Sequence, residues 1–149
     1  MMQLDRTVTV RQPLDRVFGF LADFTTTEQW DPGTVSTERL SGDGGVGTRY
    51  RNVSRFLGRR TELDYVVLDY VVADLQAPRL IRLRGRNSTV TATDTMQIAA
   101  TDDGATRVHY RAEFEFHGPA RLLAPLLWPA LQRLGDRAAA QLRATLVAL

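Results

Sequence analysis

Residues 106–149 read TRVHYRAEFEFHGPARLLAPLLWPALQRLGDRAAAQLRATLVAL, and the rhythm of their apolar side chains changes once. From Thr106 to Phe116 the set Val108, Tyr110, Ala112, Phe114 and Phe116 alternates with His109, Arg111, Glu113 and Glu115. That two-residue period belongs to a strand with one wet face and one covered face. Beyond Gly118-Pro119 the period lengthens to three or four residues. Leu123, Leu127, Ala130, Leu131, Leu134, Ala138, Leu142 and Leu146 then share one face, with Arg121, Arg133, Arg137 and Arg143 mostly off it. The spacing predicts a long amphipathic helix from about Ala120 to Leu149. Pro125 and Pro129 remove hydrogen bonds early in it, so a kink or delayed start is expected near Leu126 to Trp128.

Upstream of this segment the chain is mostly strand. Gln3 to Val10 alternates with period two, and Pro13 opens a helix carrying Leu14, Val17, Phe18 and Leu21 at helical spacing to about Asp23. A short second helical turn over Thr26 to Gln29 runs into Trp30-Asp31-Pro32-Gly33, whose Pro and Gly force a turn. Strands are then expected over Val35–Leu40, Thr48–Val53, Thr61–Val72, Leu80–Gly85, Thr89–Ala99 and Thr106–Phe116. Turns at Gly42 to Gly47, Gly58, Gln76-Ala77-Pro78, Arg86-Asn87 and Gly104 separate them. Connections this short pair strands antiparallel, because a parallel crossover takes a dozen or more residues. A seven-stranded antiparallel sheet with one apolar face must cover that face, and the last helix is the one long apolar partner. The expected class is α+β: a curved sheet wrapped around a C-terminal helix, with two short helices after the first strand, as a single domain over 1–149.

This order of elements resembles the helix-grip fold of the START-like (SRPBCC) superfamily. Trp30-Asp31-Pro32-Gly33 is similar to the W-x-P signature of its bacterial polyketide cyclase/dehydrase and lipid transport members. Gly104-Ala105-Thr106-Arg107-Val108 resembles their Gly-Thr-Arg-Val lead into the last strand, with an inserted alanine, and Gly42-Asp43-Gly44-Gly45-Val46-Gly47-Thr48 resembles the glycine loop of the plant pollen-allergen branch. The resemblance covers the whole chain and implies a cavity for a hydrophobic molecule, with the Leu126–Trp128 region at its mouth.

Composition narrows the chemistry. All 19 cations are arginine, so lysine Schiff-base chemistry is excluded, and the absence of cysteine excludes disulfides and thiolate chemistry. The arginines are scattered among 17 carboxylates, for a net charge of +2, without the aromatic-interleaved basic stripe of a nucleic-acid surface. No apolar run spans a bilayer and no signal peptide is recognisable, so a soluble cytoplasmic protein is expected. The glycine loop also spells G-x-G-x-x-G, but strand follows it where a dinucleotide site needs a helix N-terminus, so a hairpin turn without nucleotide affinity is expected. No cofactor is expected. Nor is a metal, since His109 and His117 are the only histidines and both fall on the outward phase of the last strand.

Asp94 shares strand parity with Val90, Ala92, Met96 and Ile98, which puts a carboxylate on the covered face. It reads either as a cavity acid, base or ligand anchor, or as a structural partner of an arginine such as Arg82 or Arg84; a bulge reversing the parity is the third option. Trp30, Tyr50, Tyr65, Tyr110, Phe114, Phe116 and Trp128 are candidate cavity walls, each with core filler as the alternative. Candidate ligand contacts are thus Trp30, Tyr50, Tyr65, Arg82, Asp94, Tyr110, Phe114 and Trp128, with Asp94 and Tyr110 as catalytic candidates. Two functions stay open: sequestration or transport of a small hydrophobic metabolite, or a cyclase/dehydrase in which Asp94, Tyr110, Tyr65 or Arg82 moves protons. The sequence leaves a homodimer open.

Overall fold

The computed structural model describes residues 1–72 and 78–149. It has seven strands, β1 (Met2–Val10), β2 (Thr34–Ser41), β3 (Arg49–Phe56), β4 (Arg59–Val71), β5 (Arg79–Arg86), β6 (Val90–Ala100) and β7 (Thr106–Phe116). The helices are α1 (Leu14–Ala22), α2 (Thr27–Trp30) and α3 (Ala124–Val147), with 3₁₀ turns at Phe24–Thr26 and Gly118–Leu122. The strands form one antiparallel sheet in the order β1-β7-β6-β5-β4-β3-β2, and α3 lies on its inner face, the helix-grip arrangement. Bulges in β2 and in the β4–β5 pairing add local bend to the strands that flank the site.

Strand parity survives folding. Leu4, Val8 and Val10 of β1, Ile81 and Leu83 of β5, Ala92, Asp94, Met96 and Ile98 of β6, and Val108 and Ala112 of β7 are all buried. The loop Gly42 to Gly47 joins β2 to β3 as a hairpin. Its first glycine, at φ 95°, has its backbone so close to Thr48 that a Cβ there would lie 2.7 Å from the Thr48 Cα. The expected turn at Gln76 and Ala77 lies outside the described residues.

The last helix starts later than its periodicity suggests. Gly118, at φ 60°, and Pro119 open a 3₁₀ turn, and α3 begins only at Ala124, with Pro125 in the first helical turn where a missing N–H costs nothing. The helix then runs through Pro129 as one element, and Leu123, expected on the apolar face, is exposed in the lead-in. Two ties fix α3 over the sheet. Arg6 of β1 donates to the Gln132 carbonyl (3.2 Å), the Gln132 Oε1 (2.8 Å) and Asp136 (3.0 Å). Close approach is possible because Gly135 faces β1: a Cβ there would sit 3.1 Å from the Arg6 Nη2. At the other side Gln141 donates to the Gln29 carbonyl of α2 at 2.8 Å.

Along α3 the two halves do different things. Leu142 and Leu146 join Val17, Phe18 and Leu21 of α1 and the β5–β6 residues in a closed core. Toward its start α3 presents Leu131, Leu134, Gly135 and Ala138, two of them too small to fill the space above the sheet, and a cavity results there.

Candidate functional site

The cavity measures about 180 Å³. Its floor is the inner face of β3, β4, β6 and β7, its roof is α3, and one wall is the Trp30 turn. Most of the lining is apolar, including Phe24, Leu63, Val90, Ala92, Phe114 and Leu131. Besides Ser54, Arg55 and Thr61 on the β3–β4 side, polar groups enter at two places.

The first is Asp94, 6% exposed at mid-strand in β6. Tyr110, on the neighbouring strand, donates its hydroxyl to Asp94 Oδ1 at 2.8 Å. Burial pushes the Asp94 carboxyl up to about 6. The Tyr110 hydrogen bond opposes that rise, the nearby charge of Asp31 adds to it, and the neighbouring Tyr65 phenol opposes it again. Both phenols are held well above their ordinary range, first by burial and then by the negative charges of Asp94 and Asp31, so they remain proton donors. Gly85 explains how Tyr65 comes into reach. It stands opposite Tyr65 in the β4–β5 ladder, and a Cβ on it would lie 2.5 to 2.7 Å from the ring, so the phenol lies across β5 where a side chain is missing.

The second is the turn after α2. Asp31 accepts from the Gly33 N–H (3.0 Å) and the Thr34 hydroxyl (3.0 Å), which fixes the Pro32-Gly33 turn and leaves the carboxylate at the cavity wall. Burial raises its pKa above the usual carboxylate value, the two hydrogen bonds holding it partly down. Next to it Asn52 donates to Thr37 (2.9 Å) and Thr34 (3.2 Å), while the Thr27 and Thr37 hydroxyls meet at 2.6 Å. Trp30 itself is 2% exposed and meets Tyr110 edge-on at 5.6 Å. Its indole Nε1 is buried and reaches no acceptor among the described residues.

Five of the eight candidate contacts therefore come together at the cavity: Trp30, Tyr65, Asp94, Tyr110 and Phe114. Phe116 lines it too. The other three do not. Tyr50 is buried, but it packs on Phe24 at 5.6 Å and borders a surface groove beneath α1 and the glycine loop. Arg82 has the opposite parity to Leu83 and turns to the outer face, where it pairs with Asp69 at 2.9 Å and donates to Thr95 at 3.2 Å. Trp128 packs against the small cluster of Leu4, Ala112 and Leu131, because α3 turns it to the β1 side of the sheet. Among the described residues no arginine pairs with Asp94; its structural partner is a phenol. Asp31 and Asn52 are site residues that the sequence reading misses. Asn52 is within reach of the parity argument, since it alternates with Tyr50 and Ser54 along β3, whereas Asp31 gives only a turn signal.

His109 pairs with Asp5 (3.2 Å) on the outer face, and His117 bonds Thr91 (2.8 Å). Among the described residues no cluster of three or more His, Asp or Glu is placed to hold a metal ion, and no helix is long and apolar enough to cross a membrane.

A sequence model of the family "Polyketide cyclase / dehydrase and lipid transport" matches residues 1–147. The chain belongs to this family. No curated relative matches it in sequence. Among solved structures it is similar to a Thermus thermophilus protein (TM-score 0.79, 17% identity, covering 99% of this chain and 98% of that one). It is similar to the Zhui aromatase/cyclase from a Streptomyces species (TM-score 0.79, 18% identity, 97% and 92% covered) and to a START superfamily protein from Mycobacterium smegmatis (TM-score 0.76, 15% identity, 97% and 96% covered). At these identities the likeness is one of fold, and family members divide between ligand carriage and cyclase chemistry.

Proposed function

We propose that this family member binds a small hydrophobic metabolite in the cavity beneath α3, for sequestration or transport, with Trp30, Tyr65, Tyr110 and Phe114 as walls and Asp94 as the polar anchor. The observation that carries the reading is an apolar cavity of about 180 Å³ with a buried, hydrogen-bonded carboxyl inside it. An apolar cavity of roughly 150 Å³ accommodates benzene, so the space suits a substituted ring or a short branched chain. Apolar walls supply affinity, and a few placed polar groups supply orientation.

Titration calorimetry with propiophenone, a neutral aromatic ketone, tests it. The protein should bind one equivalent with a negative heat-capacity change. Ala138→Phe, which fills the cavity from α3 while keeping a helix-compatible residue, should bind at least tenfold more weakly and still unfold cooperatively. Equal binding by the two would place the ligand elsewhere.

A second reading, cyclase/dehydrase chemistry, is favoured by one observation: a carboxyl raised to about 6 stands beside two phenols and near a second carboxylate. In that reading Asp94 takes a proton from a carbon flanked by carbonyls, and a phenol donates to the enolate oxygen. The Tyr110 phenol already donates to Asp94, however, which suits an anchor more than a separated acid and base. Loss of turnover with retained affinity in Asp94→Asn, measured on a poly-β-ketone, would favour the enzyme.

A further inference from the structure

We propose that the end of the molecule formed by the β3–β4 turn and the lead-in to α3 docks on an anionic lipid bilayer. Leucines on the two turns enter the lipid, and arginines behind them meet the phosphates. This surface goes beyond the binding reading and needs no ligand in the cavity.

The leucines come first. Among the described residues four leucines are more than half exposed: Leu57, Leu122, Leu123 and Leu126. Two segments far apart in sequence carry them, and the sheet brings these to one end. A single row of the ladder, Arg51, Asp64, Arg86, Thr91 and Glu115, crosses from β3 to β7, and both turns lie beyond it on the same side. Phe56, Phe116, Leu127 and Trp128 all pack on the small cluster of Leu4, Ala112 and Leu131, so the two turns flank a common centre. Single exposed leucines are ordinary, but four at one end mark an interaction surface. Leu57 adds a second sign. Its φ of 52° suits Asn or Gly, so a leucine there costs the fold stability that its exposed side chain does not return by packing.

Charge decides what covers them. Residues 55–61 and 117–135 hold Arg55, Arg59, Arg60, Arg121 and Arg133 and none of the 17 carboxylates, in a chain whose net charge is only +2. All five arginines are exposed, and among the described residues none of them pairs with a carboxylate. Leu57 stands in the turn beyond the Phe56–Arg59 pair, with Arg55, Arg59 and Arg60 on the strands behind it. Arg133 follows Leu126 by seven residues, two turns along the same face of α3. A bilayer offers matching layers, apolar chains inside and phosphates outside. A second copy of this chain would instead set arginine against arginine. Arg55 is exposed and also lines the cavity, as do Phe56 and Phe116, so the docked end adjoins the cavity and gives an apolar molecule a path from lipid that avoids water.

Cosedimentation at low salt with phosphatidylcholine vesicles, with and without one third phosphatidylglycerol, tests the proposal. Wild type should bind the anionic vesicles at least about tenfold more tightly than the neutral ones, since each arginine near such a surface contributes a factor of about five. About 1 M salt, where the Debye length is about 3 Å, should abolish that preference. Arg59→Gln/Arg60→Gln should weaken anionic-vesicle binding at least about tenfold. Arg107→Gln/Arg143→Gln removes the same charge from exposed positions at the opposite end and should keep binding within about threefold of wild type. Leu57→Asn/Leu122→Gln, one change on each turn, should also weaken binding at least about tenfold. That variant should unfold cooperatively and bind propiophenone as wild type does, which keeps docking separable from cavity binding. Equal binding to both vesicle types, a leucine variant that docks like wild type, or equal losses from the two arginine pairs would overturn the proposal. So would a wild type that ignores vesicles, including one that sediments as a dimer which the leucine changes dissociate; the face would then be an interface between copies. Docking without propiophenone binding would uphold this surface and remove only the cavity reading.

Discussion

Asp94 shows how one side chain couples stability to the site. Its folded-state value of about 6 lies above the ordinary 3.8. The protonated carboxyl is thus the form the fold prefers, and its contribution is complete below about pH 4 and lost as pH rises through about 6. Asp94→Asn removes that titration and keeps an oxygen to accept from Tyr110. Urea unfolding at several pH values should therefore show the variant gaining on wild type between about pH 4 and pH 7.5, by on the order of 3 kcal/mol. Taking the difference between the two proteins isolates Asp94 from Asp31, which also titrates high; parallel profiles would mean that Asp94 is not desolvated. A second residue-scale prediction concerns Leu57, which sits exposed in the two-residue β3–β4 turn with φ 52°, followed by Gly58 at φ 77°. Positive φ at both central positions is the geometry Asn-Gly favours, so Leu57→Asn should raise stability by about 0.5–1 kcal/mol in the same assay without changing ligand affinity. At this scale the sequence is a partial guide. Parity on a regular strand places Asp94 and Tyr110 on the covered face, but no periodicity covers the Trp30 turn, so Asp31 reads only as turn chemistry. Arg82 is a candidate by charge, although its parity with Arg84 and Arg86 already points outward.

Elements place these side chains, and small residues decide where they come close. Gly85 is an interior strand glycine, a position that ordinarily weakens a strand, and it is kept clear for the ring of Tyr65. Gly85→Ala should displace that ring, lowering stability by roughly 1–3 kcal/mol and weakening propiophenone binding, because Tyr65 is a wall of the cavity and would then be pushed into it. Chemical denaturation with parallel calorimetry checks both, and an alanine variant with unchanged binding would show that the Tyr65 position is immaterial. The strands and both short helices follow from alternation, helical spacing and turn residues in the sequence. The start of α3 does not, because Leu123 satisfies the apolar period while Gly118 and Pro119 hold the backbone in a 3₁₀ turn. Trp128 escapes the sequence reading for a related reason: helical spacing assigns a face, and which neighbour that face meets depends on how Gly135 and Arg6 seat the helix on β1.

For the molecule as a whole, the order of elements is enough to foresee an antiparallel sheet gripping its last helix, because covering one apolar face with one helix leaves few alternatives. The cavity follows only in outline. Its existence reflects the small residues Gly135 and Ala138 on α3 above Ala92 and Ala112 on the sheet, a deficit of volume distributed over three elements that one-dimensional periodicity does not sum. The central claim, that this volume is where a hydrophobic molecule sits, is tested most directly by isotope-filtered NMR on the propiophenone complex. Intermolecular NOEs from the ligand ring should reach the methyl groups of Leu63, Val90, Ala92 and Leu131. NOEs confined to the exposed leucines Leu57, Leu122 and Leu126 would instead put the ligand on the surface and contradict the account.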